Sequence, residues 1–143
     1  MKGFRRVLVC LDFGPASRRV LEAGVDVAES GAAVRLLHVV AWVPSVVEGA
    51  MAGYGSARAI RTLHADSERQ LGDWGRTVVG VDLSTAVVEG QPAGTILDVA
   101  EEWDADAIVV GQRRRGRFAA LRPGSVVERV LRGARCPVLV VPV

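Results

Sequence analysis

The sequence predicts one α/β domain in which a parallel sheet is covered by helices on both faces. Short apolar runs alternate with stretches whose apolar residues recur every three to four positions, as expected of strands joined by crossover helices. The runs are apolar at consecutive positions rather than at every second one, which fits strands buried on both sides. At 143 residues the chain is long enough for one core and short for two. Right-handed crossovers then make a doubly wound domain.

The elements follow in order. Val7 to Leu11 reads as the first strand, ended by Asp12-Phe13-Gly14-Pro15, and Pro15 suits the first turn of a helix. Val20, Leu21, Gly24, Val25 and Ala28 give that helix its period, with Gly31 as its C-cap. Val34 to Val40 is the second strand. Trp42 to Ser56 carries Pro44, Gly49, Gly53 and Gly55 and reads as a loop or lid. Ile60, Leu63, Ser67, Leu71, Trp74 and Val78 then recur at helical spacing. Thr85 to Val88 is the third strand, closed by Gly90-Gln91-Pro92. Ala93 to Trp103 is a short helix with Ile96, Leu97 and Ala100 inward. Ala107 to Val110 is the fourth strand, with Gly111 starting a turn. Gly124 to Arg132 is a helix, and Val138 to Val141 is the fifth strand.

Composition narrows the function. Half the residues are hydrophobic and a quarter are charged, a globular balance. No apolar run approaches a membrane span, and the basic N-terminus is not followed by the apolar stretch of a signal peptide. The expectation is a cytoplasmic protein. Cys10 and Cys136 stand in apolar surroundings outside any Cys-x-x-Cys motif and read as small buried hydrophobes. His38 and His64 are joined by no cluster of metal-ligating residues, so no metal site is expected. His38, inside an apolar strand, reads as a core histidine whose ring is satisfied by hydrogen bonds.

The formal charge of +2 is unevenly spread: Arg113 to Arg135 holds eight arginines and one acid, Glu128. Such an excess favours an anionic ligand, or else it is a solvated face. The same region has the layout of a phosphate-binding loop, with Gly111 at a strand end and Gly124-Ser125 opening a helix whose free N–H groups attract anions. Ser125 and Glu128 also fit a capping box. In a doubly wound sheet ligands bind beyond the carboxyl ends of the strands, where the strand order reverses. This places Asp12 across a crevice from Gly111, either as a ligand contact or as an Asx-turn residue before Gly14-Pro15.

Taken in order, Val7-Leu8-Val9-Cys10-Leu11-Asp12, Leu36-Leu37-His38-Val39, Val88-Glu89-Gly90-Gln91-Pro92-Ala93, Ala105 to Gly111, Gly124-Ser125-Val126 and Arg135 to Val141 resemble the universal stress proteins. The resemblance spans the chain and makes residues 1–143 one such domain. It implies a Rossmann-like sheet in the order 3-2-1-4-5, a homodimer, and a stress-response role without established catalytic residues. Many family members bind ATP through Gly-x-x-Gly-x9-Gly-Ser/Thr, while another branch lacks these glycines and does not. Carried over, Asp12 and Val39 would meet adenine and ribose. Val110 and Gly111 would line the crevice, and Gly124, Ser125 and Val126 would hold the phosphates.

Arg114 stands where the family loop has its second glycine. At a positive φ a side chain there costs on the order of 1–2 kcal/mol, whereas a guanidinium can grip phosphate through paired hydrogen bonds. The reading is therefore a non-enzymatic protein that binds ATP, with Mg2+ where the phosphates carry it, and dimerises through Val138 to Val143. Nucleic acid and membrane are not expected partners. The alternative is a dimerising interaction module of the same fold that binds no ATP.

Overall fold

Burial of consecutive residues is clearest in β1 (Phe4–Cys10), where Val7, Leu8 and Val9 are wholly inaccessible. In the computed structural model, which describes residues 3–41, 54–112 and 124–142, β1 lies at the centre of a five-stranded sheet. It is flanked by β2 (Ala28–Ala41) and β4 (Ala107–Gln112), with β3 (Asp82–Gly90) and β5 (Val138–Pro142) at the two edges. The order is β3-β2-β1-β4-β5 and every pairing is parallel, in agreement with the sequence reading.

Among the described residues, four helices cross between the strands: α1 (Ser17–Val27), α2 (Tyr54–Gly75), α3 (Pro92–Glu102) and α4 (Val126–Gly133). Alternation along β1 divides the interior. Val7 and Val9 join Val20 and Leu21 of α1 and Leu71 of α2 in one core, whereas Leu8 joins Ile96 of α3 and Val127 and Val130 of α4 in the other. This is how a sheet sandwiched between helix pairs keeps both faces dry.

Several details depart from expectation: α2 already begins at Tyr54, inside the expected Trp42 to Ser56 loop, and ends at Gly75, short of Val78. Gly31 is not the cap of α1. The helix ends at Val27, and Ala28 is already extended (ψ 138°) and paired with Phe4 of β1. Gly31 (φ +77°) instead takes a turn within β2, where its N–H donates to the Gly80 carbonyl at 2.9 Å. Entry directly into strand pairing leaves no room for a left-handed cap. Gly111 does not start a turn, because β4 continues through Gln112 and Gly111 pairs with Val141.

On α2, Leu63 is 55% exposed and the inward stripe passes through His64. His64 is half-buried, and its Nε2 lies 3.0 Å from the Val87 carbonyl on β3. Trp74 meets the expectation, packing on the first core and edge-on to Phe13 at 5.9 Å. Among the described residues, no helix is long and apolar enough to cross a membrane.

Candidate functional site

The carboxyl ends of β1, β2 and β4 and the first turns of α1, α3 and α4 enclose a cleft of about 710 Å³. It straddles the boundary between β1 and β4, where the strand order reverses, the place a doubly wound sheet offers a ligand. Of the residues expected at the site, Asp12, Val39, Val110, Gly111 and Val126 line the cleft. Gly124 and Ser125 do not, although Val126 and Val127 just beyond them do. Arg114, and residues 42–53 of the expected lid, lie outside the described residues.

Asp12 serves the turn foreseen for it. Its Oδ1 accepts the Gly14 N–H at 2.8 Å and the Ser17 hydroxyl at 3.1 Å, an Asx arrangement that brings the chain from β1 into α1. The carboxylate also borders the cleft, so the turn and the site use the same group. Phe13, held at φ 61° by this turn, stacks on His38 with ring centroids 4.2 Å apart. His38 Nδ1 lies 2.7 Å from the Leu11 carbonyl. A carbonyl can only accept, so that nitrogen carries a proton. His38 is thus the satisfied histidine expected, and it also lines the cleft, which the sequence reading did not assign to it.

Gly111 allows close packing rather than an unusual backbone. A Cβ on it would stand 2.8 Å from Val20 Cγ2, so glycine lets α1 lie close against the end of β4. Gly124 has the opposite reason: at φ +82° with open space around it, it supplies a left-handed turn into α4. Ser125 caps that helix, its Oγ accepting the Glu128 N–H at 3.1 Å. Glu128 Oε2 reaches back to the Gly124 N–H at 3.3 Å and its carboxylate also meets Arg132. The capping box therefore forms, shifted by one residue at its return bond.

The helix ends differ in charge. Neither α1 nor α3 has a side-chain cap or an acid in its first turn. Their leading N–H groups and positive dipole ends face the cleft, that of α1 beside the Asp12 carboxylate bonded to the Ser17 hydroxyl and that of α3 with no capping side chain. The walls are largely aliphatic, including Leu37, Val39, Ile96 and Val110. Cys10 forms part of the floor, and burial pushes its thiol up to about 12. A thiol held neutral is a poor nucleophile, in keeping with its reading as a small hydrophobe. Cys136, at the other end of the sheet, is also raised, by burial first and by Asp106 second.

Sequence reasoning missed Cys10, Ser17, Pro92 and Ile96 as lining residues. The signal was present for the first two, since Cys10 and Ser17 flank Asp12 at a strand end and a helix start. Among the described residues, no group of three histidines, cysteines or carboxylates could hold a metal ion.

A doubly wound parallel sheet with an apolar cleft at its switch point defines an α/β protein of the Rossmann-like class. The family model described as "Universal stress protein family" matches residues 3–142, and the chain belongs to that family. It is 28% identical to the universal stress protein YxiE of Bacillus subtilis, over 96% of this chain and 99% of that one. It is 45% identical over 62 residues to MJ0531 of Methanocaldococcus jannaschii, where the match spans only 36% of the relative.

Among solved structures, hypothetical protein MJ0577 superposes with a TM-score of 0.79 at 22% identity, covering 97% of this chain and 96% of that one. A universal stress protein in complex with cAMP superposes at 0.64 with 22% identity, over 99% of this chain and 98% of that one. A family protein from Arabidopsis thaliana with AMP bound superposes at 0.57 with 16% identity, over 96% and 90%. At these identities the structural likeness speaks for the fold.

Proposed function

We propose that the cleft binds an adenine nucleotide, ATP or a shorter form, and that the protein acts in a stress response by binding rather than by turnover. The observation that carries this reading is the cleft itself, with aliphatic walls suited to a flat base and two uncapped helix N-termini suited to phosphate. Solved proteins of the same fold holding cAMP and AMP support it. Asp12 and Val39 would face the base and ribose, with Val110 and Gly111 along the crevice and Val126 toward the phosphates. Asp12 is one carboxylate already engaged in a turn, so Mg2+ would enter with the phosphates rather than bind a preformed protein site. A cytoplasmic location fits this role.

Titration with ATP, ADP, AMP and cAMP, with and without Mg2+, tests the reading. A ligand at a hundred times its Kd stabilises by about 2.7 kcal/mol, a melting-temperature rise on the order of 5–10 °C for a domain of this size. An unchanged melting temperature at saturation with all four would sink it.

One observation favours the second reading, an interaction module that binds no nucleotide. Ser125 Oγ and the Gly124 N–H, foreseen as phosphate contacts, are engaged with Glu128. The same titration separates the two. We also infer that two copies pair through β5. It is the last strand of the sheet, and Leu139 on it and Leu131 on α4 are 38% and 39% exposed. A monomer mass by light scattering at micromolar concentration would refute that pairing.

A further inference from the structure

At the end of the sheet opposite the cleft, Arg6 of β1 and Arg35 of β2 converge on Trp103, just beyond α3. Their guanidinium carbons lie 4.4 and 4.8 Å from the indole centroid. Arg6 Nε and Nη2 donate to the Trp103 carbonyl at 2.9 and 2.8 Å, which satisfies an acceptor at the helix end. Arg35 Nε donates to Ser84 Oγ at 3.1 Å. Among the described residues, neither guanidinium forms an ion pair, and Arg6 Nη1 and both terminal amino groups of Arg35 donate to no protein atom.

Three acids nearby in the fold are engaged elsewhere, while Glu102 and Asp104, which flank Trp103, form no ion pair with either guanidinium among the described residues. Asp106 accepts the main-chain N–H groups of Arg5 and Arg6, Glu29 pairs with Arg5, and Glu101 pairs with Arg135.

Two half-buried cations on one ring are no more than about 9 Å apart, roughly one Debye length at physiological salt, so solvent ions screen their repulsion only in part. The indole gives each some relief. Packing alone gives no reason for the second charge, because the next residues on the same face of β2, Leu37 and Val39, are apolar. A guanidinium stacked on an aromatic ring with its terminal donors unused is the arrangement that grips an oxyanion.

We propose that Arg6, Arg35 and Trp103 form a binding site for a phosphate-class oxyanion, separate from the cleft and independent of the nucleotide reading. The anion would accept from the terminal amino groups of Arg35 and from Arg6 Nη1, while the indole holds both planes in place. The test follows the Trp103 indole N–H resonance while inorganic phosphate replaces chloride at constant ionic strength, with acetate in a parallel series.

The expected result is a saturable Trp103 shift with phosphate, at least tenfold weaker in Arg35→Gln, intermediate in Arg35→Lys, and weaker with acetate. Absence of a saturable shift in the wild-type protein overturns the proposal, and so does equal affinity in the wild type and Arg35→Gln. Acetate binding as tightly as phosphate overturns the phosphate class. Phosphate held only in the cleft shifts resonances there, treats both proteins alike and counts against the site. Should Arg35→Gln fail to fold, the wild-type titration and Arg35→Lys decide the matter.

Discussion

The two ends of the sheet use polar side chains in opposite ways. At the amino ends of the strands, polar groups tie distant segments together: Asp106 holds the N–H groups of Arg5 and Arg6, 101 and 100 residues away, and Arg6 holds the Trp103 carbonyl. At the carboxyl ends, the oxygens of Asp12 and Ser125 bond within five residues, to Gly14 and Ser17 and to Glu128. Among the described residues lining the cleft, only the His38 ring reaches farther, to the Leu11 carbonyl. Local bonds shape turns without closing the space between elements, so the carboxyl end keeps a cleft and two open helix starts. The amino end acts as a clasp and the carboxyl end as a mouth.

Substitutions at each end test this division. The largest effect is expected at the clasp. Asp106→Ala removes two main-chain hydrogen bonds to a carboxylate, each worth about 1.5–3 kcal/mol. Because one of the two bonds is exposed to solvent, urea unfolding should show a loss of about 2–4 kcal/mol rather than the full sum, with nucleotide affinity unchanged within about twofold. An equal fall in affinity would break the contrast between the ends.

Gly111→Val, at the mouth, drives a side chain into Val20. It should cost about 1–3 kcal/mol by overpacking and weaken nucleotide binding at least tenfold. Retained affinity would show that α1 need not lie close to β4 for the site to work.

A third test uses alkaline pH. The Cys10 thiol is raised to about 12 from 9.0, so above pH 9 the unfolded thiol ionises while the folded one stays neutral. The stability that depends on its neutrality is complete below pH 9 and is lost as pH climbs toward 12. The loss is at most about 1.4 kcal/mol per pH unit, and less where water in the cleft reaches the sulfur. Cys10→Ala should flatten this alkaline limb, and an unchanged slope would place the sulfur in water. The smallest effect belongs to Ser125→Ala, a lost N-cap worth about 1 kcal/mol. It should be visible in the melting temperature and absent from the clasp.

The architecture was legible because both its signals are local. Apolar runs marked five strands, helical periods marked four helices, and the glycine spacing pointed to the mouth. Choices that depend on what lies across a gap were not legible. Leu63 and His64 compete for one inward position of α2, and apolarity favoured Leu63. His64 occupies it because a ring nitrogen can meet the Val87 carbonyl of a neighbouring strand, a partner that no helical period reveals. Gly31 resembled a helix cap because glycine serves both caps and turns. The grouping of Arg6, Arg35 and Trp103 depends on the pairing of Leu8 with Arg35 and on where α3 ends, so three distant segments must be placed before it exists.

The clasp also has a consequence in time. β1 is central, yet its partner β4 and the carboxylate of Asp106 lie some 100 residues later in the chain. At translation speeds of roughly 5–20 residues per second, β1 leaves the ribosome several seconds before that side of it can be covered. During this interval Val7, Leu8 and Val9 form a bare apolar edge available to any other unpaired strand. A growing chain of this design exposes an apolar strand early and can cover that side of it only once residues 107–110 have emerged.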